Sequence, residues 1–396
     1  MNSYTIANTP CGIYRGDLPL GYAYYQTLLD IYVRFLRTFR GLEVTCHKYS
    51  LNILGRRAET LGLEGTIEDL DRYAKRWIER GSLRDKMNFS FEGNLIDTDQ
   101  RSIKQTEEAF KELYKQGYIL KERSTFYLDA GKIREDFDLM GIAQEINFFS
   151  VRSKKEFLRL ITESDRPIRI TKNRKYSIPN PLGGEGIAPI FGVANLWDGH
   201  FDHVDLMVAS EKELTRYLVL RFLSRIPISR QLPMQNVLVF NYIDPECGFD
   251  SWVIEELTSN ESGSDALRYS FAKSLSLSRS NMGLQKSLLD GGRRLVDLID
   301  NLKKFFLVNG LRASIIPSVV REGYLEAMNS FRYPSVLRDL EIGLKNVSRD
   351  VDNARCRGDL DEKKRELFER YFVLIKGMGP FCPSICKKVM EELSWR

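Results

Sequence analysis

The sequence GDLPLGYAYYQTLLDIYVRFLRTFRGLEVTC, residues 16–46, decides the fold class. Apolar side chains recur at helical spacing over residues 21–40, and Gly41 then ends the predicted helix. Residues 42–46 follow as a short apolar strand. A strand and turn are also predicted before the helix, over residues 4–12. A strand, a helix and a strand with short connections indicate a βαβ domain with a parallel sheet.

The rest of the chain divides into an α/β part and an all-α part. Further elements of the α/β part are predicted as helices over 54–61, 67–80, 100–116 and 211–225 and a strand over 236–242. Residues 118–187 form short charged segments broken by prolines and glycines, which predicts a small insertion. From Asp265 onward, successive amphipathic helices predict a helical bundle, with breaks near residues 309–310, 333–334, 357–359 and 377–380. The predicted domains are therefore 1–264 and 265–396.

Composition limits the class of protein. A chain of 396 residues exceeds the usual size of one hydrophobic core, so two domains are expected. Its 59 Lys+Arg and 54 Asp+Glu leave a net charge of +5, which permits a nucleic-acid partner without requiring one. The six cysteines lack the spacing of a disulfide framework, and the first residues do not read as a signal segment, so a reducing cytoplasm is the expected location. No apolar run is long enough to predict a membrane span.

Several motifs resemble those of class I aminoacyl-tRNA synthetases of the methionyl type. Residues 16–23, followed by Asp30, Arg34 and Gly41, resemble the family's His-Ile-Gly-His turn and the helix after it. Four later matches follow in family order, at residues 55–62, 110–118, 265–269 and 371–395. The resemblance implies a Rossmann-type class I synthetase catalytic domain with a small insertion, followed by an anticodon-binding-like helical bundle.

Both ATP-handling signatures of that family are degenerate in this sequence. Pro19 and Tyr22 replace the two histidines of the first signature, and only Gly21 remains. A tyrosine hydroxyl donates one hydrogen bond and proline none, and losing one such donor typically lowers a rate by about two to three orders of magnitude. At the position of the second signature, Asp244 and Glu246 replace lysines and would repel pyrophosphate. ATP is therefore disfavoured as a cofactor, although its use remains open.

The candidate site residues combine the resemblance with the predicted sheet. The candidate catalytic residues are His47 and Tyr22. Tyr22 replaces a histidine of the first signature. His47 lies within residues 46–52, which are expected to form a loop at the carboxyl end of the second strand, where open α/β sheets bind ligands. For His47, a general base and a structural hydrogen bond are both open. The candidate substrate-binding residues are Gly12, Tyr14, Gly21, Tyr49, Asn52, Asn195, Trp197 and Glu211. For Glu211, a solvated helix start with Ser210 as N-cap explains the sequence equally well.

Metal and tRNA sites are not the favoured interpretations of the remaining patterns. The chain has no paired Cys-x-x-Cys, so no zinc is expected, and Cys382 and Cys386 are predicted to pack in the core. His200 and His203 are predicted to lie in a polar loop. The bundle's many Lys and Arg residues alternate with acidic residues, which favours an exposed mixed-charge surface over a tRNA-binding stripe.

Three functions remain open from the sequence. The first is a repurposed enzyme that binds an amino acid or aminoacyl-tRNA and transfers or couples the aminoacyl group without ordinary ATP activation. The second is a non-catalytic pseudo-synthetase that binds tRNA, an amino acid or a protein partner. The third is an ATP-dependent amino-acid ligase that uses Tyr22 and nearby basic residues in place of the lost signatures.

Overall fold

The computed structural model describes most of the chain. The described residues are 3–8, 11–12, 20–47, 49–54, 56–79, 87–90, 93–163, 166–196, 203–210, 217–229, 232–240, 242–243, 258, 260–277, 281–282, 285–313 and 322–394.

In this part, strands and helices are interspersed up to residue 282, and the described elements after it are helices. The strands are β1 (Ser3–Asn8), β2 (Cys11–Gly12), β3 (Glu43–Cys46), β4 (Tyr49–Asn52), β5 (Asn94–Ile96), β6 (Ile119–Glu122), β7 (Thr125–Leu128), β8 (Asn147–Phe148), β9 (Ile168–Arg169), β10 (Thr171–Lys172), β11 (Gly186–Ile187), β12 (Leu206–Ser210), β13 (Asn236–Phe240), β14 (Tyr242–Ile243) and β15 (Asn281–Met282). The helices are α1 (Leu20–Arg40), α2 (Arg56–Thr60), α3 (Ile67–Glu79), α4 (Gln100–Lys115), α5 (Ala130–Asp136), α6 (Leu139–Gln144), α7 (Val151–Glu163), α8 (Pro189–Asn195), α9 (Val219–Ser229), α10 (Glu261–Lys273), α11 (Lys286–Val308), α12 (Glu322–Asn329), α13 (Tyr333–Arg357), α14 (Leu360–Met378) and α15 (Pro383–Leu393).

The central sheet is parallel, as the sequence predicts. Its strand order is β3-β1-β12-β13-β8, with Ile6 opposite Leu206 and Leu206 opposite Asn236. Strands β12 and β13 are buried along almost their whole length, as is typical of parallel sheets. From β1 the chain passes to β3 on one side, and from β12 it passes to β13 on the other. The strand order therefore reverses between β1 and β12, which is where open α/β sheets bind ligands.

A second parallel sheet continues two of these strands and corrects one prediction. Its order is β2-β4-β5, with Gly12 opposite Asn52 and Leu51 opposite Ile96. The prediction of a loop over residues 46–52 is therefore wrong for its second half. Residues 49–52 are a strand because they pair with a strand on each side, and such long-range pairing leaves no signal in four residues of sequence.

The segment 118–187 contains more of the α/β core than a small insertion implies. Strands β6, β7 and β9 form a separate antiparallel sheet, but Asn147–Phe148 is the edge strand of the central sheet. The Phe157 ring on α7 packs against Phe148 and Phe222, at centroid distances of 5.2 and 5.4 Å. A strand of two residues is too short to be recognised by alternation of apolar side chains.

The chain from residue 261 onward forms the predicted helical region. Helix α11 ends at Val308, α13 begins at Tyr333, and α14 ends at Met378, as the predicted breaks require. Gly358 follows α13 with a φ of 77°, a left-handed conformation that glycine adopts without strain. Helix α10 spans the boundary proposed between residues 264 and 265, which remains a prediction. Among the described helices, none is long and apolar enough to cross a membrane.

A buried ion pair joins the helical part to the α/β part. Arg268 on α10 is fully buried and donates from Nη2 to Asp30 Oδ2 on α1, at 2.7 Å. The same guanidinium donates to the carbonyls of Met87, Pro380 and Phe381 at 2.9 to 3.2 Å. Arg268 therefore ties α10 to α1, to the segment around Met87 and to the turn before α15.

The partner of that arginine is equally well bonded. Asp30 also accepts hydrogen bonds from Arg34 Nε at 2.7 Å and from the backbone N and the Oγ of Ser90 at 2.6 and 2.7 Å. Burial acts to raise the pKa of Asp30, but Arg268 and Arg34 outweigh it, so the pKa lies below its usual value. The Asp30–Arg268 pair, the joint between the two parts of the chain, therefore holds an ionised carboxylate inside the protein. Compensated charge of this kind is typical of a structural ion pair.

Candidate functional site

The first turns of α1 lie against the sheet at the point where the strand order reverses. Tyr25 is buried, and its hydroxyl donates to the Val208 carbonyl of β12 at 2.9 Å. Its ring meets the Phe240 ring at the end of β13 edge-on, at 5.8 Å. These contacts hold the N-terminal end of α1 over the carboxyl ends of β12 and β13. Backbone N–H groups at such a helix end favour a negatively charged or carbonyl oxygen.

Tyr22 and Gly21 lie in this first part of α1. The Tyr22 ring stacks on the Tyr25 ring, with centroids 5.8 Å apart and an interplanar angle of 22°. The Tyr22 hydroxyl oxygen accepts a hydrogen bond from Gln26 Nε2 at 2.7 Å. Tyr22 is half-buried, whereas Gln26 is fully buried. The structure therefore places two candidate residues, Gly21 and Tyr22, at the predicted ligand-binding edge.

Further candidate residues lie at the ends of strands β2 and β4 in the second parallel sheet. Gly12 and Asn52 are direct neighbours across β2 and β4, so the backbone brings these two candidates together. Tyr49 lies at the other end of β4, opposite Asn94. The positions of Gly12 and Asn52 fit the carboxyl edge expected from the sequence, and Tyr49 lies away from it.

Asp97 follows β5 directly and is not among the residues predicted from the sequence. Its two carboxylate oxygens accept the backbone N–H groups of Ile53 and Leu54, at 2.9 and 3.1 Å, and so fix the chain just after Asn52. Burial raises the pKa of Asp97 to about 7, against the opposing effect of these backbone hydrogen bonds. A carboxyl group directly after a strand is the one sequence signal that could have found it.

His47 lies at the break between β3 and β4, directly after the last residue of β3. The histidine is half-buried, and a Cβ placed on Gly93 would lie 3.2 Å from His47 Nδ1. Gly93 immediately precedes β5, so the imidazole faces the amino end of that strand. The expected role of His47 at the carboxyl end of β3 remains a prediction, and the chain continues past it as β4. Its neighbour Cys46 is buried, and burial raises the pKa of its thiol, so Cys46 is no nucleophile at neutral pH.

Asn195 lies in a layer of helices. Its Nδ2 donates to the Phe191 carbonyl of its own helix at 2.8 Å, and its Oδ1 is buried with no hydrogen-bond partner in the described part of the chain. A Cβ on Gly192 of this helix would lie 3.7 Å from Thr106 Oγ1 on α4, which shows how closely the helices pack. A role for Asn195 in lining the ligand pocket remains a prediction.

Several predicted site positions lie outside the described residues. They are Tyr14, Pro19, Trp197, His200, Glu211, Asp244 and Glu246. The predicted helix over 211–225 is seen from residue 219 to residue 229, as α9.

The other candidate ligand sites have structural partners. His203 Nε2 lies 3.3 Å from Asp205 Oδ1, and Asp205 Oδ2 accepts the backbone N–H of Thr5 at 2.7 Å, next to the central sheet. Cys382 and Cys386 are buried, as predicted, and burial raises the pKa of both thiols. In the described ranges, no cluster of His, Cys, Asp and Glu has the arrangement of a metal site.

The basic residues of the bundle form the expected mixed-charge surface. Lys363 and Lys364 pair with Asp359 and Asp361, which lie at the start of the same helix. Across the gap between two helices, Arg370 Nη2 lies 3.0 Å from Asp350 Oδ2. Exposed pairs of this kind contribute little to stability.

Comparison with known proteins supports the fold. No family model and no curated protein matches the chain. Among solved structures, methionyl-tRNA synthetase of Mycobacterium tuberculosis bound by methionyl-adenylate is similar, with a TM-score of 0.74 and 12% identity over 98% of this chain and 94% of that one. A second structure of that enzyme in complex with methionyl-adenylate gives 0.74 and 11%, over 99% and 94%. The chain therefore has a class I synthetase-like fold: a parallel Rossmann-like core followed by a helical C-terminal region.

Proposed function

We propose that this chain binds an aminoacyl ligand at the carboxyl edge of its parallel sheet and transfers or couples the aminoacyl group without ordinary ATP activation. The observation that carries the proposal is the Tyr25 hydrogen bond to Val208, which fixes Gly21 and Tyr22 where the strand order reverses. Ligands of open α/β sheets bind at such points. The similar solved structures contain methionyl-adenylate, which suggests the aminoacyl class of ligand.

The charges around the two signature positions favour a ligand without a triphosphate. The first turn of α1 has no acidic residue, so an oxygen of the ligand can approach its backbone N–H groups. Tyr22 adds one neutral donor where the synthetase family has two imidazoles. At the second signature, Asp244 and Glu246 would repel a pyrophosphate group. One carbonyl or one phosphoryl oxygen suits this arrangement better than three phosphates.

The proposed division of roles follows from position. Gly21 allows close approach of the ligand to the start of α1, and Tyr22 donates a hydrogen bond to an oxygen of the ligand. Gly12 and Asn52 border the same edge. An amino acid and the aminoacylated end of a tRNA both present an oxygen of this kind, and they are the two proposed ligands.

Pyrophosphate exchange with a panel of amino acids, measured beside binding of ATP and of bulk tRNA, tests the proposal. We expect no exchange, together with binding of free or tRNA-linked aminoacyl groups. If tRNA is bound, its affinity should fall steeply with rising salt. Exchange above background would instead establish an ATP-dependent ligase.

Substitution separates a repurposed enzyme from a non-catalytic scaffold. We expect Asn52→Ala to impair aminoacyl binding or transfer. His47→Gln tests the remaining catalytic candidate, and the matched control is His203→Gln, whose side chain is 54% exposed. A scaffold should tolerate all three changes.

A further inference from the structure

A buried carboxyl group determines where the chain leaves one edge of the proposed site. Asp97 is 2% exposed and follows β5 directly. Its Oδ1 accepts the backbone N–H of Ile53 at 2.9 Å, and its Oδ2 accepts that of Leu54 at 3.1 Å. These two residues come immediately after Asn52, the last residue of β4. The side chain of Asp97 therefore holds the backbone at the carboxyl edge of the second parallel sheet.

Two neighbouring N–H groups require a side chain that accepts a hydrogen bond at each of two oxygen atoms. An ionised carboxylate accepts at both, whereas a protonated carboxyl group keeps one oxygen as a hydroxyl that donates. Burial opposes ionisation and raises the pKa of Asp97 to about 7. Near neutral pH, the protein therefore changes between a state in which one of the two backbone bonds is weakened and a state in which both are complete.

The charged side chains of the neighbouring elements are bonded to other groups. They are Asp71 and Lys75 on α3, which pair at 2.6 Å, Asp99, which caps the start of α4, and Glu59 on α2, which pairs with Arg174 at 2.5 Å. Thr98, next to Asp97, donates to Asp71 Oδ1 at 3.0 Å. Burial raises the pKa of Asp97, and hydrogen bonds from backbone N–H groups lower it. Any ligand that orders those backbone groups therefore favours the ionised carboxylate.

We propose that Asp97 is a positioning residue for the aminoacyl ligand, which binds most tightly to the protein in which this carboxyl group is ionised. The inference rests on the proposed function, because that function places the ligand at the edge that Gly12 and Asn52 border. A ligand on this edge orders the chain after Asn52, and the chain is best ordered when both N–H groups are bonded. Ligand binding and loss of the Asp97 proton are therefore linked, and each promotes the other.

Calorimetric titrations of the wild type and Asp97→Asn at pH 6 and pH 8 test the linkage. The probe is the tightest-binding member of a panel of amino acids and stable 3′-aminoacylamino-3′-deoxyadenosines. For the wild type, we expect the affinity to rise about three- to tenfold from pH 6 to pH 8, the effect of one hydrogen bond. Asp97→Asn does not titrate at this position and should lack this rise. Groups that titrate in both proteins, the ligand's amino group included, cancel in the difference.

The matched control is Asp71→Asn, which removes a neighbouring carboxylate that does not contact the chain after Asn52. It should keep the wild-type dependence of affinity on pH. Release of protons is a second measurement that a merely structural role of Asp97 would not change. In titrations at pH 7 in two buffers of different ionisation enthalpy, the wild type and Asp71→Asn should each release up to about half a proton more than Asp97→Asn.

A further measurement needs no variant of Asp97. In protein labelled with ¹⁵N-isoleucine, the amide resonance of Ile53, assigned by its loss in Ile53→Val, should shift with pH around a midpoint near 7, because its hydrogen-bond acceptor ionises there. Saturation with the ligand should lower this midpoint by about half to one pH unit, which is the same three- to tenfold effect. An unchanged midpoint would overturn the inference even if Asp97→Asn does not fold.

The outcomes separate this inference from the proposed function. If the wild type binds no member of the panel, the proposed function fails, and the inference fails with it. If the wild type binds the ligand while Asp97→Asn shows the same rise in affinity and the same release of protons, the proposed function stands and the inference about Asp97 is overturned.

Discussion

Two parts of one face of α1 differ in how completely their polar groups are bonded. Tyr22, Gln26, Asp30 and Arg34 follow one another at four-residue spacing, and therefore lie on the same side of the helix. At the Asp30 end, the carboxylate accepts from two arginines and a serine, and the buried arginine it pairs with also binds three carbonyls. At the Tyr22 end, the buried Gln26 has an oxygen with no partner in the described part of the chain.

The difference separates a structural region from a candidate binding region. Charges that are buried for stability are paired and hydrogen-bonded, and the joint around Asp30 and Arg268 meets that condition. An incompletely bonded group beside the carboxyl edge of a parallel sheet meets the conditions of a ligand site instead. We therefore expect substitutions at the joint to lower stability, and substitutions near Tyr22 to lower ligand affinity.

The largest loss of stability is expected from Arg268→Met. It removes the buried partner of Asp30, and breaking a buried ion pair costs about 3–5 kcal/mol. The measurement is the free energy of unfolding from urea titrations. The control is Arg332→Met, because Arg332 and Glu326 form an exposed pair, with 54% and 74% of their side chains accessible, and such pairs contribute at most about 1 kcal/mol. Equal losses in the two variants would contradict a structural role for the joint.

A smaller effect is expected from Asp97→Asn and depends on pH. The folded protein keeps the Asp97 proton up to a pKa of about 7, whereas an unfolded chain releases it near a pH of about 4. The folded state therefore binds more protons between these values, so stability falls as pH rises through this window. In the wild type, ionisation of Asp97 should lower the free energy of unfolding by about 2 kcal/mol as pH rises from roughly 5 to 7.

The amide that Asp97→Asn introduces does not titrate. Between these pH values, the free energy of unfolding of the variant should therefore fall by about 2 kcal/mol less than that of the wild type. Asp265, whose pKa burial raises to about 6, titrates in both proteins and cancels in the difference. Parallel pH profiles for the two proteins would show that Asp97 is ionised throughout and would contradict the assignment.

Tyr25→Phe should have a still smaller effect on stability. The change removes the hydrogen bond to the Val208 carbonyl and keeps the ring against Phe240, so the expected loss is about 1 kcal/mol. Tyr114→Phe is the control, because the Tyr114 side chain is partly exposed on α4. If Tyr25→Phe is as stable as its control, the hydroxyl does not anchor α1 to the sheet.

The sequence predicted the long elements well because their signals are local. The helix predicted over 21–40 is α1, Leu20–Arg40, and the breaks in the helical region coincide with helix ends. The strands that were missed are short and depend on distant partners, such as Asn147–Phe148 beside β13. Their pairing leaves no periodic pattern in two residues.

The candidate site was predictable only in part, for a similar reason. Gly21 and Tyr22 were proposed because they occupy family positions at a helix start. Asp97 was missed because its role depends on the backbone of Ile53 and Leu54, which lie far earlier in the chain. The continuation of the chain past His47 as β4 was not predicted, because the residues between β3 and β4 carry no signal for it.

Calorimetric titration of Tyr22→Phe with a panel of amino acids and of stable 3′-aminoacylamino-3′-deoxyadenosines, which mimic the aminoacylated end of tRNA, beside Tyr114→Phe and the wild type, tests the central claim most directly. Tyr22→Phe keeps the ring and its stacking on Tyr25 but removes the acceptor of the buried Gln26 Nε2, so we expect it to lose about 1–3 kcal/mol of stability. Its affinity for the ligand should fall about three- to tenfold, and that of Tyr114→Phe should not change. Unchanged affinity in Tyr22→Phe, or no binding of any member of the panel by the wild type, would contradict an aminoacyl site at the start of α1.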